Sequence, residues 1–200
     1  MAPGQSVRRL PEGVGFELKP GNKLVLEIHY HRNGKEEIDQ TSIGLYFTKK
    51  PAERLVDIAW LVNLGIYIKP GESDQTFKRS FKVSADTLCY GVMPHMHFLG
   101  KSMKAWAEFP DGTTKPMVFV NDWDFNWQMT YFYKEPMNLP KGSKIWVEAV
   151  YDNSENNPNN PSSPPKAVRW GEETTDEMFL LVALVAPAQP NGPSGMPTLK

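Results

Sequence analysis

Apolar and polar residues alternate along most of the chain, in short runs interrupted by Gly, Pro, Asn and Asp. Successive side chains of a β-strand point to opposite faces, so this alternation predicts half-buried strands. Strands at this spacing, with no helices between them, predict an all-β fold, an antiparallel jelly-roll β-sandwich. Only residues 54–61 fit a helix as well as a strand. The predicted strands are residues 14–18, 23–32, 42–48, 55–62, 65–69, 76–83, 87–95, 103–109, 115–120, 127–133, 143–152 and 178–186.

Two segments are not expected to join a sheet. Residues 156–165 are rich in Asn and Pro, which predicts a loop, because proline cannot donate to a strand ladder. The tail, residues 188–200, is rich in Pro and Gly, and this composition predicts disorder. The longest apolar run, residues 179–187, is too short to cross a membrane, so no membrane span is expected. The first residues lack the apolar core of a secretory signal peptide.

Composition narrows the class of protein. The chain has 200 residues, of which 40% are hydrophobic, and this is enough for a substantial core. Its net charge of -1 argues against a nucleic-acid partner, which would call for a basic surface. Cys89 is the single cysteine, so an internal disulfide framework is excluded, and its apolar surroundings predict a buried thiol.

All four histidines occur in two His-x-His pairs, His29 with His31 and His95 with His97. Residues two apart on a strand share a face, so each pair presents two imidazoles side by side. Two neighbouring imidazoles are half of a transition-metal site. The alternative is two pairs of hydrogen-bonded, partly buried histidines without a metal.

A third ligand for a mononuclear site would come from a carboxylate or a methionine, because no other histidine remains. Met178 has the most suggestive setting, between the polar Thr174-Thr175-Asp176-Glu177 and an apolar strand, although it fits ordinary core packing as well. Asp176 and Glu177 are expected to form loop hydrogen bonds that position Met178. Residues 122–128 combine carboxylates with Trp123 and Trp127, and form either an aromatic wall for a small molecule or a loop held by buried tryptophans.

Two motifs together carry a family resemblance. At His95-Met96-His97-Phe98-Leu99-Gly100-Lys101 and Thr175-Asp176-Glu177-Met178, the chain resembles the copper type II, ascorbate-dependent monooxygenases. That family includes peptidylglycine α-hydroxylating monooxygenase and dopamine β-monooxygenase. The resemblance implies that His95, His97 and Met178 bind the copper that activates oxygen. It also implies that His29, in Ile28-His29-Tyr30, binds a second, electron-transferring copper, for which His31 is a further candidate ligand.

The family has two tandem jelly-roll domains. The resemblance therefore implies that residues 1–35 are the last strands of a truncated N-terminal copper domain, and that residues 36–187 form the C-terminal copper domain. The adjacent His-His pair that completes the second copper in the family has no counterpart here, so this fragment alone is expected to turn over poorly. The family setting implies a periplasmic or extracellular full-length protein.

The substrate positions differ from those of the peptide enzymes. Met93 stands where those enzymes carry an arginine that grips the substrate carboxylate, and Leu180 and Val182 replace their asparagine and tyrosine. The closer resemblance is to bacterial relatives, in which this copper domain is often attached to other redox modules.

The leading hypothesis is a copper monooxygenase that uses O2 to hydroxylate a C–H bond of a small molecule, with ascorbate or a cytochrome-like partner supplying electrons. The first alternative is a non-catalytic copper-binding or electron-transfer module. The second is a metal-free sandwich whose Trp123 and Trp127 bind a partner. A zinc hydrolase is a weaker candidate, because it would want a nitrogen or carboxylate third ligand and a nearby base.

Overall fold

The computed structural model describes residues 9–26, 28, 30, 33–190, 192–193 and 195–196. These residues form strands, turns and loops, and none of them is helical. The strands are β1 (Val14–Gly15), β2 (Arg54–Leu55), β3 (Asp57–Val62), β4 (Tyr67–Ile68), β5 (Gln75–Lys82), β6 (Thr87–His95), β7 (Gly100–Glu108), β8 (Thr114–Val120), β9 (Tyr131–Leu139), β10 (Lys144–Tyr151), β11 (Val168–Arg169) and β12 (Leu180–Pro187).

Two four-stranded antiparallel sheets make up the body of the molecule. The front sheet has the order β3-β12-β6-β9, and the back sheet has the order β5-β10-β7-β8. One continuous cluster of buried apolar side chains contains residues of both sheets, so the sheets pack face to face as a sandwich. The prediction of an all-β, mainly antiparallel fold is confirmed, and the jelly-roll connectivity stays a prediction.

Alternation along the front sheet separates its two faces. In β12, Leu181 and Ala183 are fully buried in the core, and in β6 Val92 points the same way. The intervening residues of these strands therefore lie on the outer face of the front sheet. His95 and Leu180 belong to that outer set, and the register of the sheet pairs them directly.

The N-terminal part of the described chain contacts the sandwich, and the predicted domain boundary at residue 35 stays a prediction. β1 pairs with β2 in parallel. Leu10 and Val14 pack with Tyr90 and Leu184 on the front sheet. Residues 10–15 therefore pack on the sandwich, whereas the described residues between 16 and 48 contribute no side chain to either core cluster.

Two predicted strands, residues 23–32 and 42–48, are not strands at any of their described residues. Leu24, Val25 and Leu26 are exposed despite their strand-like alternation. A strand needs a hydrogen-bonded neighbour as well as a suitable sequence, so alternation without a partner does not produce one. The prediction was wrong here because it considered each segment alone.

The ninth strand is displaced from its predicted position, residues 127–133, to Tyr131–Leu139. The backbone N–H of Trp127 donates to Asp124 O, and that of Asn126 donates to the Asp124 carboxylate, so a turn occupies the predicted start. Pro136 is accommodated because β9 lies at the edge of its sheet.

The described part of the predicted disordered tail, residues 188–200, packs on the core. Ser84 donates both its backbone N–H and its hydroxyl to the carbonyl of Gly195, and Met196 is buried in the main cluster. A Cβ at position 195 would lie 2.2 Å from the carbonyl oxygen of Ala85, so only glycine fits this close approach. The single cysteine, Cys89, is buried as expected, and burial raises the pKa of its thiol to about 12.

Candidate metal centre

The two sequence motifs meet at one end of the front sheet. β6 ends at His95, and β12 begins at Leu180, its register partner. Beyond this pair the chain leaves the sheet on both sides, and one oxygen of the Glu177 carboxylate accepts the backbone N–H of both His97 and Met178. This end of the sheet therefore brings the backbones of the two motifs together, and the set of His95, His97 and Met178 as ligands stays a prediction.

The imidazole rings of His95 and His97 lie close together, with centroids 5.2 Å apart and planes nearly perpendicular at 82°. Phe125 packs edge-on against the ring of His97 at 6.0 Å and also contacts Phe98. The pair is therefore held between the end of the sheet and the aromatic loop of residues 122–128.

Hydrogen bonding fixes the tautomer of His95. Its Nδ1 lies 2.6 Å from Gln128 Oε1, while Gln128 Nε2 donates to the carbonyl of Phe125 at 2.8 Å. The second bond assigns the amide orientation, so an acceptor oxygen faces His95. Nδ1 must therefore carry the proton, which leaves the lone pair of Nε2 available for a metal.

His97 has the same arrangement with a different partner. Its Nδ1 lies 3.0 Å from the backbone carbonyl oxygen of Asp176, which can only accept. The Nε2 of His97 is therefore a second available nitrogen. A carbonyl or amide oxygen behind each imidazole is the usual support of a metal-binding histidine.

Both imidazoles favour the neutral form that a metal needs. Burial lowers the pKa of His95, and the neighbouring His97 lowers it further, against the raising effect of Gln128. Burial likewise lowers the pKa of His97, although the Asp176 carbonyl opposes the shift. A neutral, hydrogen-bonded pair can bind a cation without first losing protons.

Glu177 ties the two motifs together through their backbones. Its carboxylate is fully buried, and one oxygen accepts the N–H of His97 at 2.8 Å and that of Met178 at 3.1 Å. The other oxygen accepts the N–H of Leu99 at 2.6 Å. Burial raises the pKa of Glu177 to about 7, while the backbone N–H donors act to lower it. The predicted loop hydrogen bonding is present for Glu177, which holds the His97 loop as well as Met178.

Trp123 holds the backbone of His97 by a hydrogen bond. It is buried, and its indole Nε1 donates to the carbonyl of His97 at 3.0 Å, so the predicted role of a buried tryptophan fits this residue. Trp127 is 67% exposed and does not share that role. A Cβ at Gly100 would lie 2.8 Å from Trp123 Cδ1, so the small residue after Leu99 allows the indole to pack closely.

Met178 is the third predicted ligand, and its backbone N–H shares an acceptor oxygen of Glu177 with the N–H of His97. It is partly buried, and its backbone is held at both ends, because its carbonyl accepts the hydroxyl of Tyr151 at 2.9 Å and its N–H donates to Glu177. Among the described residues, no three side chains of His, Cys, Asp or Glu come together as a metal site. Two neutral imidazoles with a thioether fit a soft ion such as Cu(I) better than a hard one.

The residues predicted for the second copper site, His29 and His31, lie outside the described residues. Their neighbour Tyr30 is exposed, and its hydroxyl donates to Asp39 at 2.6 Å.

Two contributors to the site carry no signal in the sequence. Gln128 reaches His95 across 33 residues, and nothing in its local pattern distinguishes it from a surface amide. Gly171 lies so close to Asp176 that a Cβ would be 2.0 Å from its carboxylate, and a lone glycine in a loop does not predict such a contact. No protein-family model matches the chain.

Proposed function

We propose that this chain is a copper-dependent monooxygenase domain in which His95, His97 and Met178 hold the metal. The observation that carries the proposal is the paired tautomers: each imidazole is bound through Nδ1 to a fixed oxygen, leaving Nε2 free. The resemblance of both ligand motifs to the ascorbate-dependent copper monooxygenases supports the choice of metal. The jelly-roll connectivity and the copper domain at residues 36–187 belong to the same proposal.

The reaction that we propose is hydroxylation of a C–H bond. A substrate RH, O2 and a two-electron donor such as ascorbate would give ROH, water and the oxidised donor. One oxygen atom enters the substrate, and the other leaves as water with the two hydrogens of the donor. Bound copper would supply the one-electron steps that this use of O2 requires.

The residues of the chain have distinct parts in this proposal. Gln128 and the Asp176 carbonyl orient the two imidazoles, and Glu177 fixes the spacing between the His97 and Met178 backbones. Phe125 packs edge-on against the imidazole of His97, and Trp123 holds the His97 backbone carbonyl. The thioether of Met178 would favour the reduced metal. His29, with His31, is proposed as part of a second copper site that delivers electrons from ascorbate or a cytochrome-like partner in an exported protein.

The decisive test is X-ray absorption spectroscopy of the reduced, copper-loaded protein and of a Met178→Ile variant. We expect one tightly bound copper with two nitrogen neighbours and a sulfur neighbour, and loss of the sulfur signal in the variant. Met117→Ile, a buried methionine on β8 of the back sheet, is the matched control and should keep the sulfur signal. Thermal unfolding of each protein verifies that the fold is retained.

The outcomes separate the candidate functions. Absence of copper binding, or nitrogen and oxygen neighbours alone in all three proteins, would overturn the proposed ligand set. Copper with the sulfur neighbour, but no O2 consumption with ascorbate and a broad set of substrates, would favour a copper-binding or electron-transfer module instead.

A further inference from the structure

We propose that the outer face of the front sheet beside the His95–His97 pair binds the substrate, and that this substrate is a small, uncharged, apolar molecule. This inference rests on the proposed function and names its substrate class. The binding surface lies over three rows of residues that follow the register of β3, β12 and β6. Trp60 and Ile58 are its exposed members, and Leu180 is buried beneath it.

The rows are set by strand pairing. The first row joins Val62, Leu180 and His95, so it contains a proposed metal ligand. The second row joins Trp60, Val182 and Met93, and the third joins Ile58, Leu184 and Gly91. We call these three rows the apolar platform. Apart from His95 itself, no side chain of the platform is titratable.

The composition of the platform decides the chemical class of its ligand. A charged ligand group placed there would lose water without gaining an ionic partner, which is costly. An apolar ligand would instead gain by covering Trp60 and Ile58, each of which is 39% exposed. The indole of Trp60 also offers a flat face for an aromatic or alkyl group.

The platform is bounded at both ends, which limits the size of the ligand. At one end is the His95–His97 pair. At the other end, Leu10 and Val14 pack against Leu184 and cover the sheet. Rows on one face of a strand are separated by about 7 Å, so the length from the first row to the third is about 14 Å. A molecule the size of a substituted benzene lying over Trp60 and Val182 would place a C–H group next to the first row.

The experiment uses two fluorinated probes of similar size, 4-fluoroethylbenzene and 4-fluorophenylacetate, followed by 19F NMR. Metal-free protein should bind the neutral probe saturably and at least about tenfold more tightly than the anionic one, as unpartnered charge burial requires. Adding Cu(II) should then broaden the signal of the bound neutral probe, because the platform begins at a metal ligand.

Three variants locate the binding. Trp60→Ala should weaken binding of the neutral probe about tenfold, the scale of one lost aromatic contact. Val182→Arg should reverse the preference in favour of 4-fluorophenylacetate. Phe119→Ala is the control, since Phe119 is an exposed aromatic residue on β8 of the back sheet and its loss should leave the affinity unchanged.

Each outcome bears on one proposal. Equal affinity for the two probes would overturn the proposal that the platform binds an apolar substrate. Loss of binding in Phe119→Ala would also overturn it, and would assign the fluorinated probe to the groove between β8 and β9, which has a volume of about 520 Å³. No saturable binding by a protein that is dimeric in solution would assign the face to a second copy of the chain. Selective binding of the neutral probe without broadening by Cu(II) would show an apolar site that is distant from the metal, and would overturn its assignment as the substrate site. Failure to bind copper at all would overturn the proposed function separately.

Discussion

At the scale of single residues, the candidate metal centre depends on the hydrogen-bond partners of the predicted ligands as much as on the ligands themselves. The sequence predicts His95, His97 and Met178 as candidate ligands, since their spacing and flanking residues form recognisable motifs. It does not predict Gln128, because a hydrogen bond to a residue 33 positions away leaves no local pattern. The tautomers that prepare both imidazoles for a metal could therefore be read only from the folded structure.

Replacing Gln128 by Leu should weaken copper binding by about 10- to 100-fold, the usual cost of removing the partner of a metal-binding histidine. Leucine cannot accept the Nδ1 proton of His95, so the tautomer and ring orientation are no longer fixed. Competition with a coloured Cu(I) chelator measures the affinity. Gln128→Glu keeps an acceptor oxygen and should bind nearly as well as the wild type, and Gln40→Leu controls for the loss of an exposed amide. Equal affinity of Gln128→Leu and wild type would contradict this role.

The two buried imidazoles also predict how stability of the metal-free protein depends on pH. Burial lowers the pKa of His95 and of His97 below the ordinary value of 6.5, so the folded state binds fewer protons than the unfolded state in this range. Their contribution to the unfolding free energy is therefore present above pH 6.5 and is lost as the pH falls through their folded pKa values. Urea denaturation from pH 8 to pH 5 should show a steeper loss of stability in the wild type than in a His95→Asn/His97→Asn variant. The same dependence of stability on pH in both proteins would contradict this contribution of the two histidines.

At the scale of elements, strand pairing explains which predictions succeeded. Strands β6, β7, β10 and β12 lie within a few residues of their predicted bounds, because each has hydrogen-bonded neighbours and an alternation that matches its buried face. Residues 23–32 have a similar alternation, but their described residues have no assigned strand. Alternation identifies residues able to form a strand, and pairing decides which of them do.

Glu177 joins two of these elements, and its replacement by Gln should separate them. A glutamine side chain would turn an N–H2 group toward backbone N–H donors that the carboxylate now accepts from His97, Leu99 and Met178. Leaving buried donors unpaired typically costs about 1–3 kcal/mol, and we expect a loss of stability on this scale together with weaker copper binding. Chemical denaturation and the Cu(I) competition assay measure the two effects. Glu172→Gln, at an exposed position nearby, is the control and should change neither stability nor copper affinity. Wild-type stability and copper affinity in Glu177→Gln would contradict the role of the carboxylate.

At the scale of the whole molecule, two contacts join distant parts of the chain to the sandwich. Residues 10–15 pack against the front sheet, and Gly195 and Met196 pack against the turn before β6 and the core. Neither contact was predictable, because a short polar or Pro/Gly-rich stretch shows no periodicity until its docking surface exists. Among the described residues none belongs to a helix long and apolar enough to cross a membrane.

The segment of residues 16–48 gives the last prediction, because its described residues contribute no side chain to either core cluster and expose many apolar side chains. Brief treatment with trypsin should therefore cut first after Lys35 or after Lys49, both of which are exposed. Lys104 and Lys144 should stay uncut, because they lie within paired strands β7 and β10. The cleaved protein should keep its cooperative unfolding transition and its copper stoichiometry, since the sandwich retains its core and its His95–His97 end. Mass spectrometry locates the cuts. Early cleavage within β7 or β10 would contradict the expected order of cleavage, and loss of the unfolding transition after cleavage at Lys35 would show that residues 16–48 do stabilise the sandwich.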